Sequence, residues 1–117
     1  MGVLVTGAGG FIGGHLVQHL LADGETVRAV DVKPLEEWYQ VHSDAENVVG
    51  DCSDASMAHK LAIGADDIFN LAADMGGMGF IENNKALCML SVLINTHLLM
   101  AGREAGIERF FFASSAC

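Results

Sequence analysis

A chain of 117 residues, 51% of them hydrophobic and only one of them proline, can bury the core of a single domain and is unlike a disordered segment. Its formal net charge of −9 argues against nucleic acid or an anionic membrane surface as a main partner, so an anionic ligand has to be held by local N–H groups and a few basic side chains. The three cysteines, Cys52, Cys88 and Cys117, lack CxxC spacing, so neither a disulfide framework nor a zinc site is expected, and a reducing cytoplasm suits them.

The chain is expected to carry no signal peptide, because a strand, Val3 to Val5, begins at once with no basic leader. That strand runs into the cluster Gly7-Ala8-Gly9-Gly10, and Phe11, Ile12, Leu16, Val17, Leu20 and Leu21 then recur at helical spacing. A first helix is predicted from about Gly10 to Ala22, stopping at Asp23-Gly24. Strand, glycine turn and helix in that order are what a dinucleotide diphosphate requires. Glycine lets the backbone approach the phosphates, and the helix start offers free N–H groups and a partial positive charge. The glycines are spaced Gly7-x-x-Gly10-x-x-Gly13, and Gly7, Gly10, Phe11, Ile12 and Gly13 are the candidate phosphate-contacting residues. A purely structural glycine turn is the alternative.

Thr26 to Val30 predicts a second strand, and Asp31 at its tip follows Gly13 by eighteen residues, where dinucleotide folds place an acid on the adenosine ribose. Two acceptor oxygens suit the diol of NAD and repel the extra phosphate of NADP; Lys33, two residues on, pulls the other way. The alternative is an Asp capping the strand end. Residues 34–46 read as a loop or short helix in which Trp38 and Tyr39 pack over the sheet edge. A third strand is expected at Asn47 to Gly50. Asp51 beyond it is a candidate for the adenine amino group, and Asp54 a candidate cap for a helix carrying Met57, Ala58, Leu61 and Ala62.

Asp66 to Ala73 reads as a fourth strand, its Asp66-Asp67 pair a solvated turn; it runs into small residues that let a cofactor lie close to the backbone, with Leu71, Ala72 and Ala73 as the candidate contacts. A glycine-methionine loop follows, then a long helix from about Glu82 to Ala105. Its most apolar stretch, residues 86–100, is too short to span a bilayer and carries Asn95 and His97, so it predicts a buried helix. Arg109 to Ala113 is a fifth strand, hydrophobic on both faces as a buried parallel strand would be. The histidines show no metal-ligand cluster and read as packing or polar-face residues. Alternating strands and helices imply an α/β, Rossmann-like doubly wound parallel sheet of order 3-2-1-4-5, with the ligand over the carboxyl ends where the order reverses.

With the glycine turn, Asp31, Asp51, the run Asn70 to Ala73 and Ser114-Ser115-Ala116 together, the chain resembles the extended short-chain dehydrogenase/reductase superfamily, its nucleotide-sugar epimerases and dehydratases. The stretches 71–80, holding Met75-Gly76-Gly77-Met78-Gly79, and 109–117 narrow the resemblance to the GDP-mannose 3,5-epimerase family. The resemblance implies NAD as cofactor, Cys117 as a catalytic acid/base, and substrate contacts at Met75, Gly76, Ser115, Ala116 and Cys117. It also implies GDP-mannose as the sugar nucleotide, and a homodimeric parent. Chemically it implies transient oxidation at C4 of the hexose, which acidifies the protons on C3 and C5 so that each centre can be inverted before the hydride returns. A thiol suits that proton work, its reference pKa of about 8.5 lying near working pH.

The sequence departs from this pattern near Ser91 and near His97, where relatives usually carry Asn, and it lacks the Tyr-x-x-x-Lys pair that accompanies hydride transfer. Residues 1–117 are therefore expected to be an incomplete NAD-binding domain of a longer enzyme, without its substrate domain and inactive alone. The alternatives are an NADPH-using GDP-4-keto-6-deoxymannose epimerase/reductase, against which Asp31 speaks, and a non-catalytic dinucleotide-sensing protein.

Overall fold

The computed structural model describes residues 2–72 and 81–112, with side chains at 2–72 and 92–112. The expectations at Ala73, Met75, Gly76, Ser115, Ala116 and Cys117 lie outside the described residues, as do those at the side chains of Cys88 and Ser91.

The elements follow in the order β1 (Gly2–Thr6), α1 (Phe11–Ala22), β2 (Thr26–Asp31), a 3₁₀ turn (Leu35–Glu37), β3 (Glu46–Val49), α2 (Ala55–Ala62), β4 (Asp67–Asn70), α3 (Ile81–Ala105) and β5 (Arg109–Phe112). All strand pairs are parallel, and the sheet order is β3-β2-β1-β4-β5, as the alternation of elements implied. The chain thus leaves β1 in one direction to build β2 and β3 and returns past β1 to build β4 and β5. That reversal opens a crevice at the carboxyl ends of β1 and β4.

Side-chain alternation along the strands sorts the core into two layers. Val3, Val5, Val27 and Ala29 face one side, where Val17 of α1 and Trp38 cover them. Leu4, Val30 and Ile68 face the other, under Ala58 and Leu61 of α2 and Ile94, Leu98 and Ala101 of α3. Helix α2 is closed at both ends by side chains. Asp54 accepts from the Ser56 N–H at 2.9 Å, and Arg28 donates to the Leu61 and Ile63 carbonyls at 2.6 and 3.0 Å. Among the described residues, no helix is long and apolar enough to cross a membrane.

Three local expectations change. β4 is Asp67–Asn70, so Leu71 and Ala72 lie past the strand. The Asp66-Asp67 pair is a structural junction instead of a solvated turn: the Asp66 carboxylate accepts from the Gly2 N–H at 3.0 Å, while Asp67 pairs with Arg109 at 2.9 Å across to β5. β5 pairs with β4 alone among the described residues, which leaves Phe111 and Phe112 45% and 55% exposed.

Candidate functional site

The glycines of the first turn have different tasks. Gly7 leaves β1 with φ at +70°, and a Cβ there would lie 2.5 Å from the Leu71 carbonyl. Any side chain would force β1 and β4 apart at the point where the sheet reverses. A Cβ at Gly13 would overlap the Gly7 carbonyl oxygen and approach Ala8 Cα to 2.8 Å, so Gly13 lets α1 close onto the turn. Gly10 is open: among the described residues, the Gly7 oxygen at 3.5 Å is the sole atom a Cβ would meet.

Gly10 is also the cap of α1 and supplies no side-chain acceptor. The N–H groups at Phe11, Ile12 and Gly13 belong to the first turn, which has no intrahelical partners, and the helix dipole concentrates positive charge there. Phe11 and Ile12 are exposed. An open glycine beside uncapped N–H groups fits a multi-oxygen anion such as the diphosphate of a dinucleotide. The fit does not need a basic side chain, which agrees with the acidic composition.

Asp31 ends β2 one strand away, and its carboxylate is used twice by the backbone. Oδ2 accepts from the Gly9 N–H at 2.9 Å, and Oδ1 accepts from the Lys33 N–H at 3.0 Å. The Gly9 carbonyl in turn accepts from the Tyr39 N–H at 2.9 Å. Gly9 is therefore clasped on both sides, and a Cβ there would lie 2.9 Å from both Asp31 Oδ2 and Trp38 Cδ1. Trp38 is buried in the α1-side core with its indole N–H donating to the Lys33 carbonyl at 2.7 Å. It belongs to the core beneath the site, not to the sheet rim. Tyr39 is exposed, with its ring edge-on to Phe11 at 4.8 Å between centroids and tilted against His15. Gly9 was not among the residues marked by the motif spacing. Its signal was the surplus glycine next to Gly10.

Asp51 follows β3 on the same carboxyl edge. Ser53 donates to its Oδ1 through both hydroxyl and backbone N–H, at 2.7 and 2.9 Å, and these bonds hold the carboxyl below its usual range. Asp51 is thus exposed and anionic, with Oδ2 directed to no protein donor in the described hydrogen bonds. Beside it Cys52 is buried, and burial, then the Asp51 and Asp31 carboxylates, push its thiol up to about 12. Such a thiol is an inert core group. Two histidines bond within the fold: the His42 Nε2–H meets the Gly14 carbonyl at 3.2 Å, and His59 pairs with Glu104 at 3.3 Å on the surface. Among the described residues no metal-binding group of His, Cys, Asp or Glu is found.

On the far side of the turn, a polar chain crosses from β1 to α3. The Thr6 hydroxyl donates to Asn70 Oδ1 at 2.7 Å, the Ala72 N–H donates to the same oxygen at 3.1 Å, and Asn70 Nδ2 donates to Asn95 Oδ1 at 2.9 Å. Thr6 and Asn70 are buried, so these bonds satisfy groups that would otherwise be costly. They also fix where the chain leaves β4 at Leu71 and Ala72. Asn95 was missed as a site residue. Its signal was a lone amide in the most apolar stretch of the chain. An open depression of about 90 Å³ lies at the opposite edge, between the amino ends of β1 and β2 and the Leu61–Ala65 segment, away from all these groups.

The family is settled by comparison with known proteins. The sequence profile of the NAD dependent epimerase/dehydratase family matches residues 3–117. The chain is 41% identical over 122 aligned residues to GDP-mannose 3,5-epimerase 1 of Oryza sativa subsp. japonica, an alignment covering 98% of this chain and 31% of the relative. It is 37% identical to the 3 beta-hydroxysteroid dehydrogenase/Delta 5-->4-isomerase of Mycobacterium tuberculosis, with coverage of 97% and 31%. The fold superposes on that of MoeE5 in complex with UDP-glucose and NAD with a TM-score of 0.82 and 34% identity, covering 99% of this chain and 37% of that one. The chain thus spans about a third of the length of the curated relatives it matches. Its glycine turn, sheet order and β2 carboxylate, matched end to end by that profile, make it a member of the NAD dependent epimerase/dehydratase family.

Proposed function

We propose that this chain is the NAD-binding part of a nucleotide-sugar epimerase, with GDP-mannose as substrate and inversion at C3 and C5 as the reaction. The observation that carries the reading is the uncapped start of α1 beside the open Gly10, one strand from Asp31, at the reversal of the sheet. The N–H groups of Phe11, Ile12 and Gly13 hold the diphosphate. Asp31 keeps a second lone pair on each oxygen for the ribose hydroxyls, and Asp51 Oδ2 takes the adenine amino group. Leu71 and Ala72, just past β4, and Ala73 after them are the cofactor contacts on that side. When bound, NAD supplies a reversible hydride acceptor at C4 of the sugar.

Met75, Gly76, Ser115 and Ala116 contact the sugar nucleotide, and Cys117 moves the proton at the carbon being inverted. Residues 1–117 form the larger part of the dinucleotide domain, and the whole protein adds the substrate domain and pairs as a homodimer. GDP-mannose is favoured over other sugar nucleotides by the 41% identity to the rice enzyme. The relative from Mycobacterium tuberculosis marks the competing reading, a dehydrogenase with another substrate.

The test is to incubate the full-length protein with NAD⁺ and GDP-mannose in heavy water. Deuterium at C3 and C5 with a changed sugar configuration is expected. Net production of NADH without epimerisation would replace the reading with a dehydrogenase.

A further inference from the structure

The two ends of the cofactor site are joined through a single peptide. Asp31, at the ribose end, holds the Gly9 N–H, and Gly9 precedes the residue that opens α1 at the phosphate end. The Tyr39 N–H holds the other face of Gly9, and Trp38 packs so close that only a hydrogen fits on its Cα. A carboxylate in this position makes a charge-assisted bond, stronger than a neutral one. Its two oxygens serve two backbone donors at once, Gly9 and Lys33. An amide of the same shape cannot do so, since it has one oxygen and would set an NH₂ group against one of the two N–H groups.

We propose that Asp31 is a positioning residue for the phosphate turn, acting through Gly9, in addition to any contact with the ribose. The proposal deepens the dinucleotide reading given above and rests on it. It separates from ribose recognition because it predicts an effect on ligands that have no ribose hydroxyls to recognise. Asp31 substitutions made to change cofactor preference would then loosen the phosphate grip as well.

The experiment uses the full-length protein with ADP and 2′,3′-dideoxy-ADP as probes, titrated calorimetrically against the wild type and Asp31→Asn. Both probes should weaken, the dideoxy compound by about tenfold, the size expected for one lost charge-assisted bond. Loss of ADP affinity with dideoxy-ADP affinity unchanged would show that Asp31 serves the diol alone and would overturn the proposal. Amide hydrogen exchange in the ligand-free protein is the second readout. Exchange at Gly9 should quicken in Asp31→Asn while amides of β4 and α3 keep wild-type protection, and unchanged Gly9 exchange would also overturn it.

Gly9→Ala approaches the same link with Asp31 intact, and it decides the matter where Asp31→Asn fails to fold. Its dideoxy-ADP affinity should fall likewise, whereas wild-type affinity would refute the coupling. Failure of the wild type to bind ADP or NAD⁺ defeats the dinucleotide reading itself, and Gly9 exchange then still judges the link between Asp31 and the turn.

Discussion

Asp31, Cys52 and Cys117 are three acids with three different fates. Asp31 stands at a strand tip, where it is proposed to meet the ribose diol, so NAD⁺ should bind the full-length protein more tightly than NADP⁺, whose extra phosphate would meet a carboxylate. Calorimetric titration with both cofactors checks this, and equal or reversed affinities would remove Asp31 as the selector. Cys52 illustrates how burial silences a thiol. Its pKa is raised from 9.0 to about 12, so the fold keeps it protonated. The linkage sign follows: its contribution to stability is intact below 9.0 and is lost as pH climbs through about 12. Iodoacetamide at pH 8 should leave Cys52 unlabelled in the native protein and label it rapidly in urea; rapid native labelling would contradict the burial. Cys117 is the proposed proton carrier. In the full-length protein, Cys117→Ser should lower deuterium wash-in from heavy water into GDP-mannose by roughly 10²–10⁴-fold while NAD⁺ affinity barely changes. Near wild-type wash-in would reduce that thiol to packing.

Among the elements, α2 is short and depends on its ends. Eight residues are below the length at which a helix is stable by itself in water. The Asp54 cap and the Arg28 contacts at the last carbonyls hold it against the sheet. Asp54→Ala should cost about 1 kcal/mol of stability, read from a shift in the urea midpoint at constant slope. No shift would mean that packing under α3 carries the helix without its cap. The cap was legible because Asp-x-x before an amphipathic run has a local cause. Element ends were less so. The third strand begins at Glu46 instead of Asn47, since Glu46 pairs with Arg28 on β2, and nothing nearby in the chain announces that partner. β4 ends at Asn70 for a similar reason: its side-chain oxygen takes the Ala72 N–H and turns the chain out of the ladder.

For the molecule as a whole, the exposed edge matters most. Among the described residues β5 pairs with β4 alone, and Phe69 stacks on Phe111 at 4.8 Å between centroids, so the strand's other edge and an aromatic surface lie open. Open apolar edges promote association. The isolated 117-residue chain is therefore expected to be oligomeric or poorly soluble and to show no epimerase activity. A monodisperse monomer by light scattering would show that the edge needs no cover.

The sequence by itself determined the βαβ alternation, the sheet order and the glycine turn with its acid, because each rests on local periodicity, glycine sterics and the handedness of parallel crossovers. It could not reveal that Gly9 is clasped between Asp31 and Tyr39, that Asn95 closes the chain from Thr6 through Asn70, or that Asp66 anchors the first residue of β1. Those contacts join residues 22, 30, 25 and 64 positions apart. Only packing brings them within hydrogen-bond range, and a hydrogen bond lost with a fraction of an ångström leaves no periodic trace in the sequence.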